Sequence, residues 1–203
     1  KRENIQDPKI QGYLDILEAK AQRLKHLTED VVEASKISSG NITMEYMNIN
    51  FVEMINQTTG EFTEKFEKRN LQIVLNVPEK PVMVRTDGRR MWRVIENIYN
   101  NAAKYALEGT RVYADLIEKE HTVEFSLKNI SEQPLNISAD ELTERFIRGD
   151  VSRSTEGSGL GLSIAKNLTE LQGGKFELYL DGDLFKVTIV FPKAVVGQSV
   201  TKP

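Results

Sequence analysis

Within the stretch Asn97-Ile98-Tyr99-Asn100-Asn101-Ala102-Ala103-Lys104-Tyr105, residues 97, 101 and 104 stand at i, i+4 and i+7 and share one face of a helix. Asparagine is a weak helix former, and two amides with an ammonium one turn on add nothing to packing. The set does suit an ion-bound polyphosphate. Amide oxygens are hard ligands for magnesium, and Lys104 can meet a phosphate as a point charge. The competing explanation is a solvated helix face that happens to hold asparagine.

A second segment, Gly157-Ser158-Gly159-Leu160-Gly161-Leu162, runs into Ser163-Ile164-Ala165-Lys166. Glycines let a backbone approach phosphate closely, and the start of a helix offers free N–H groups and a positive dipole end. A dinucleotide-binding fingerprint is the rival reading, but it needs a strand directly before the glycines. Here Arg148–Glu156 is polar and strandless, and the acidic residue at a suitable distance, Asp181, falls in a hairpin turn. A phosphate loop ending in Gly-Lys-Ser/Thr is absent too.

The elements that must position these groups follow from periodicity. Met91, Val94, Ile95, Ile98 and Ala102 predict a long helix from about Gly88 to Ala106. Before it, Phe51, Ile55, Phe62 and Phe66 share a helical face weakened by Gly60, and Leu71, Ile73, Leu75 and Val77 alternate as a strand closed by Pro78. After it, Val112, Ala114 and Leu116 pair with Val123, Phe125 and Leu127 across a turn at Glu118–His121. Ser138-Ala139-Asp140-Glu141 is a capping box for a short helix to Phe146. The helix opened by the glycines ends at Gln172-Gly173-Gly174, and strands Lys175–Leu180 and Leu184–Phe191 join through Asp181-Gly182-Asp183. Several helices on a mainly antiparallel sheet predict an α+β two-layer sandwich.

A separate helix precedes this domain. Ile10, Leu14, Leu17, Ala21, Leu24, Thr28 and Val31 keep a/d spacing, with Asp7 as a possible N-cap and Pro8 in the first turn. So regular a seam needs a partner: a bundle, a dimer or the chain's own domain. Ser35–Asn41, small and polar, reads as linker, and Ala194–Pro203 as a loose tail.

Composition narrows the class. With 39% hydrophobic and 28% charged residues the chain is ordinary globular protein, and a net charge of -3 makes nucleic acid a poor partner. The absence of cysteine excludes disulfides and thiolate chemistry. The only histidines, His26 and His121, are too far apart in sequence to suggest a metal cage. No apolar run approaches the roughly 20 residues of a membrane span.

Taken in order, these motifs resemble the sensor histidine kinases of bacterial two-component systems. Asn97–Tyr105 is similar to that family's N box, Glu144-Arg145-Phe146-Ile147-Arg148-Gly149-Asp150 to its F box, and Gly157–Leu162 to its G2 box. Leu171–Gly174 and the last strand ending in Pro192 fit as well, and residues 8–37 resemble the second helix of the dimerisation and phosphotransfer hairpin. The resemblance implies a Bergerat-type ATP-binding domain at residues 45–193, with hairpin residues at 1–37, a linker at 38–44 and a tail at 194–203. It implies ATP and Mg2+ as ligands, with Asn101 the main magnesium ligand and Asn97 assisting. Lys104, Tyr105 and Asn129 would face the nucleotide, and Arg148 the γ-phosphate. Gly157, Gly159, Leu160 and Gly161 would supply the phosphate cradle, under a lid from about Leu135 to Gly159 anchored by Phe146.

Position 97 carries further information. In the related gyrase and Hsp90 ATPases a glutamate at the corresponding place activates water. Asn97 cannot be a general base, and Glu96 is rotated about 100° away, so transfer to a protein side chain is favoured over hydrolysis.

Two departures stand out. The family usually closes the strand with Asp-x-Gly-x-Gly, its aspartate reading the adenine amino group. Here Asn129-Ile130-Ser131-Glu132-Gln133 follows the alternation. An amide can still bond adenine, but a hydrogen bond to a charged group is worth about 1.5–3 kcal/mol and a neutral one about 1. Functional but weakened nucleotide binding is the expectation. The other departure is the phosphoacceptor: neither His26, followed by Leu27-Thr28-Glu29, nor His121 in a turn fits the family's histidine motif.

The resemblance therefore implies transfer of the γ-phosphoryl group of Mg-ATP to a histidine upstream of Lys1, and thence to a response-regulator aspartate. It implies a homodimer in the intact protein and a cytoplasmic portion of a parent anchored in the bacterial inner membrane. No direct membrane contact by these residues is expected, and no autophosphorylation. The alternative is a degenerate pseudokinase serving nucleotide or partner binding.

Overall fold

The computed structural model describes residues 8–40, 42–135 and 160–194. In chain order these form α1 (Pro8–Ser38), β1 (Tyr46–Asn50), α2 (Phe51–Glu67), β2 (Gln72–Asn76), β3 (Met83–Asp87) and α3 (Gly88–Tyr105). Then follow β4 (Arg111–Glu118), β5 (Thr122–Ile130), α4 (Gly161–Leu171), β6 (Lys175–Asp181) and β7 (Leu184–Pro192). The capping box at Ser138–Glu141, the F box and the glycines at 157 and 159 lie outside the described residues, as does Asp7.

Five strands form a mixed sheet in the order β2-β4-β5-β7-β6. β4, β5, β7 and β6 are antiparallel neighbours, and the hairpins at Glu118–His121 and Asp181–Asp183 form as expected. β2 is parallel to β4. That pairing needs a crossover, which α3 supplies. The short sheet β1–β3 was not anticipated. Its strands, Tyr-Met-Asn-Ile-Asn and Met-Val-Arg-Thr-Asp, carry too little apolar alternation to stand out from loop.

α2, α3 and α4 supply the helical layer, and the faces read from periodicity are the buried ones. Phe51, Ile55, Phe62 and Phe66 of α2, and Met91, Val94, Ile95, Ile98 and Ala102 of α3, join Val112, Ala114, Phe125 and Leu127 of the sheet in one core. Tyr99 sits at its centre. Its ring stacks on Phe125 at 6.2 Å and meets Phe62 edge-on at 5.4 Å, while its hydroxyl shares a 2.8 Å hydrogen bond with Thr59 Oγ1. At the end of α4, Gly173 adopts φ +79°. A Cβ on Gly174 would come within 2.5 Å of the Phe191 ring, so only glycine fits that crossing.

α1 continues through Ser38, four residues into the stretch Ser35–Asn41 read as linker, and stops where Gly40 turns left-handed at φ +68°. Packing of Ile37 against the core outweighs the weak helix propensity of the serines. The helix is tied to the domain by ions. Arg93 binds Asp30 and Glu33 of α1 and Glu96 of its own helix, and Arg90 binds Glu33 at 3.0 Å. Burial works against the Arg93 charge, but Glu96, Asp30 and Glu33 outweigh it and raise its pKa above the ordinary guanidinium value. Meanwhile Leu17, Leu24 and Val31 of the seam stay 64%, 62% and 58% exposed. Among the described residues no helix is long and apolar enough to cross a membrane.

Candidate functional site

α3 is held at both ends, and this sets the face that carries the asparagines. At its start Asp87 is the N-cap, accepting from Arg90 N at 3.0 Å and from Glu45 N at 2.9 Å. Gln172, buried at the end of α4, accepts from Thr86 Oγ1 and Asp87 N and donates to Leu168 O. At the other end Arg69, from the turn after α2, donates to the carbonyls of Ala103 and Lys104 and pairs with Glu132 at 2.9 Å. Sequence reasoning missed Arg69 and the anchoring role of Gln172. A polar residue bound to a backbone group distant in sequence leaves no local pattern.

The three asparagines of α3 are sorted by their neighbours. Asn100 accepts from Lys65 Nζ of α2 at 2.7 Å and faces away from the predicted site. Asn97 is 8% exposed and faces α4, where an ideal Cβ on Gly161 would stand 3.1 Å from its Oδ1. Asn101 and Lys104 are half-buried, and the Lys104 ammonium lies 4.7 Å over the Tyr105 ring.

Asn129 is 3% exposed on the helix-facing side of β5, in register with Val112 and Phe185. Its Nδ2 donates to Ile130 O at 3.1 Å, and the segment after it is strapped to α3 by Leu107 N to Ile130 O and Glu132 N to Tyr105 O. The residues proposed for the adenine end and the phosphate end thus lie on elements joined directly.

Among the described residues, three buried side-chain atoms have no hydrogen-bond partner: Asn50 Oδ1, Asn97 Nδ2 and Asn129 Oδ1. Two belong to the predicted set. α4 begins with Leu160 as N-cap, which has no side-chain oxygen to offer the first-turn amides. Arg148, Gly157 and Gly159 lie outside the described residues. His26 is exposed on α1, near Gln22 at 3.1 Å, and His121 is exposed in the β4–β5 turn. No cluster of three or more His, Cys, Asp or Glu side chains suited to a metal occurs among the described residues.

The profile of the family described as histidine kinase-, DNA gyrase B-, and HSP90-like ATPase matches residues 86–195, more than half the chain. The chain belongs to this family. Sensor protein KdpD of Clostridium acetobutylicum is 29% identical over 197 residues, covering 92% of this chain and 21% of that protein. This chain therefore spans about a fifth of that relative. Among solved structures, full-length ShkA in complex with AMPPNP is similar at a TM-score of 0.76 and 18% identity, covering 96% of this chain and 41% of that one. Histidine kinase ThkA in complex with response regulator protein TrrA is similar at 0.69 and 21%, covering 95% and 54%. These likenesses establish the shared α+β architecture, including the long helix before the ATPase domain. The matched residues include α3, with Asn97, Asn101 and Lys104, and the start of α4 at Gly161.

Proposed function

We propose that this chain is the ATP-binding catalytic part of a sensor histidine kinase, holding Mg-ATP between α3, α4 and β5. One observation carries the reading: of the three partnerless buried amide atoms among the described residues, Asn97 Nδ2 and Asn129 Oδ1 belong to residues expected at the two ends of the nucleotide. A buried polar atom left unpaired costs about 1–3 kcal/mol, so these two, both on predicted site residues, are expected to be satisfied by a ligand. Asn129 Oδ1 is free to accept from an adenine amino group. The Asn97 and Asn101 oxygens are hard donors that fit magnesium, which would supply charge neutralisation along the phosphates.

The chemistry follows from what the site lacks. Asn97 has no basic oxygen to activate water, which favours transfer over hydrolysis. The bond between the γ-phosphorus and its bridging oxygen breaks, a histidine nitrogen other than those of His26 or His121 takes the phosphoryl group, and ADP leaves. Arg148 and the cradle at Gly157, Gly159, Leu160 and Gly161 are assigned to the γ-phosphate end on the strength of the resemblance. A response regulator is the proposed recipient, supported by the complex that names ThkA and TrrA. The proposed division is hairpin helix at 1–37, linker at 38–44, catalytic domain at 45–193 and tail at 194–203. The exposed seam of α1 is the proposed face for a second copy.

Calorimetric titration with ATP, with and without magnesium, is the test. Magnesium-dependent binding with Kd on the order of 1 µM to 1 mM is expected. No binding in either condition overturns the reading and leaves a partner-binding module.

A further inference from the structure

α3 ends without a glycine cap. Its C-cap, Ala106, is extended at φ -66°, ψ 143°, so the last carbonyls need other donors. Ala102 O is taken by Ala106 N at 2.9 Å and Tyr105 O by Glu132 N at 2.8 Å. The two between them, Ala103 O and Lys104 O, both accept from a single atom, Arg69 Nη1, at 3.1 and 2.5 Å. The other arm of the fork, Nη2, holds Glu132 Oε2 at 2.9 Å.

This arrangement joins two places that a nucleotide must touch at once. The turn that Arg69 closes bears Lys104 and Tyr105, with Asn101 one turn back. Glu132 lies three residues past Asn129, on the segment bridged to α3 at Ala106 and Ser131. We propose that Arg69 is a positioning residue for the nucleotide, its guanidinium setting the Lys104–Tyr105 turn of α3 at a fixed distance from Asn129 of β5, with Glu132 as its counter-charge. A planar fork is required, because a lysine ammonium at position 69 cannot hold both carbonyls and the carboxylate in one geometry. The proposal rests on the nucleotide-binding reading above.

The test measures Mg-ATP affinity and thermal stability for wild type, Arg69→Lys, Glu132→Gln, Lys104→Met and the Arg69→Lys/Lys104→Met double variant. Arg69→Lys keeps the charge that favours a helix C-terminus, so its melting point should move by only a few degrees while Mg-ATP affinity falls about fivefold. Glu132 is an exposed side chain, so Glu132→Gln should leave stability near wild type and weaken affinity about two- to threefold. If Arg69 acts through the turn that bears Lys104, its substitution adds little in the Lys104→Met background. Unchanged affinity in both Arg69→Lys and Glu132→Gln, or fully multiplicative losses in the double variant, reduces Arg69 to a helix cap and overturns the proposal. Should Arg69→Lys fail to fold, Glu132→Gln decides alone. Absence of Mg-ATP binding in wild type is a separate result that removes the nucleotide reading and this inference with it.

Discussion

Gly161 lies directly against Asn97: a Cβ at position 161 would stand 3.1 Å from Asn97 Oδ1 and 3.6 Å from Cγ. The first residue of α4 and a residue in the middle of α3 thus share one small volume. Any side chain at 161 presses on the amide that the proposed site uses. Gly161→Ala should nonetheless fold, because the Asn97 side chain can rotate and alanine is the better helix former, by less at this first position than the about 0.5–1 kcal/mol of a helix interior. The expected signature is a melting point equal to or above wild type, with Mg-ATP affinity lowered about tenfold. Undiminished affinity would show that the Asn97 amide has no part in binding.

Position 129 separates binding from stability. Asn129→Asp gives adenine a charged acceptor and should tighten Mg-ATP binding, by about tenfold if the difference approaches 1.4 kcal/mol. It also removes the bond from Asn129 Nδ2 to Ile130 O and leaves a carboxylate 3% exposed at a near-fully buried site, so the nucleotide-free protein should be less stable. Asn129→Leu removes the partnerless oxygen and should bind far more weakly at little cost in melting temperature. Equal affinities for wild type and Asn129→Asp, measured side by side by calorimetry, would contradict the adenine assignment.

Tyr99 supplies a pH dependence with a definite sign. Burial pushes its phenol up to about 12 from an ordinary 10.0, against the opposing hydrogen bond from Thr59. The folded state therefore binds the phenolic proton more tightly than the unfolded chain. This contribution is complete below about pH 10 and is lost as pH rises from about 10 through about 12, roughly 2–3 kcal/mol at most. Tyr99→Phe should lose about 1 kcal/mol at neutral pH with the Thr59 bond. Between pH 8 and pH 11 its urea midpoint should fall less than that of wild type. Parallel losses would assign the alkaline transition to other groups.

Arg93 fastens α1 to the domain that follows it. Asp30, Glu33 and Arg93 are largely shielded, at 13%, 14% and 23% side-chain exposure, so this network lies between a surface pair and a buried one. Arg93→Met should weaken the attachment by about 2 kcal/mol. Amide exchange in the last turns of α1 should accelerate while exchange in β4, β5 and β7 stays slow. Unaltered exchange in α1 would mean that Ile37 and its neighbours suffice to hold the helix.

Local chemistry made most of the scaffold legible from the sequence. The burying faces of α2 and α3, the hairpins at 118–121 and 181–183, and the glycine stop after α4 are written in spacings of two to four residues. The asparagine face of α3 was readable for the same reason, since a helix turns i, i+4 and i+7 to one side whatever surrounds it. Tertiary structure decided what lies opposite each face. It put Asn100 onto Lys65 and Asn97 against Gly161, left amide atoms of both Asn97 and Asn129 buried without partners, and paired β2 with β4 in parallel across α3. It also selected Arg69 and Gln172, from among many surface-type residues, as the groups that hold the two ends of α3. Those contacts join residues 34 to 85 positions apart. Periodicity reports a residue's direction from its own helix or strand, whereas a contact across such a separation exists only once the core has packed.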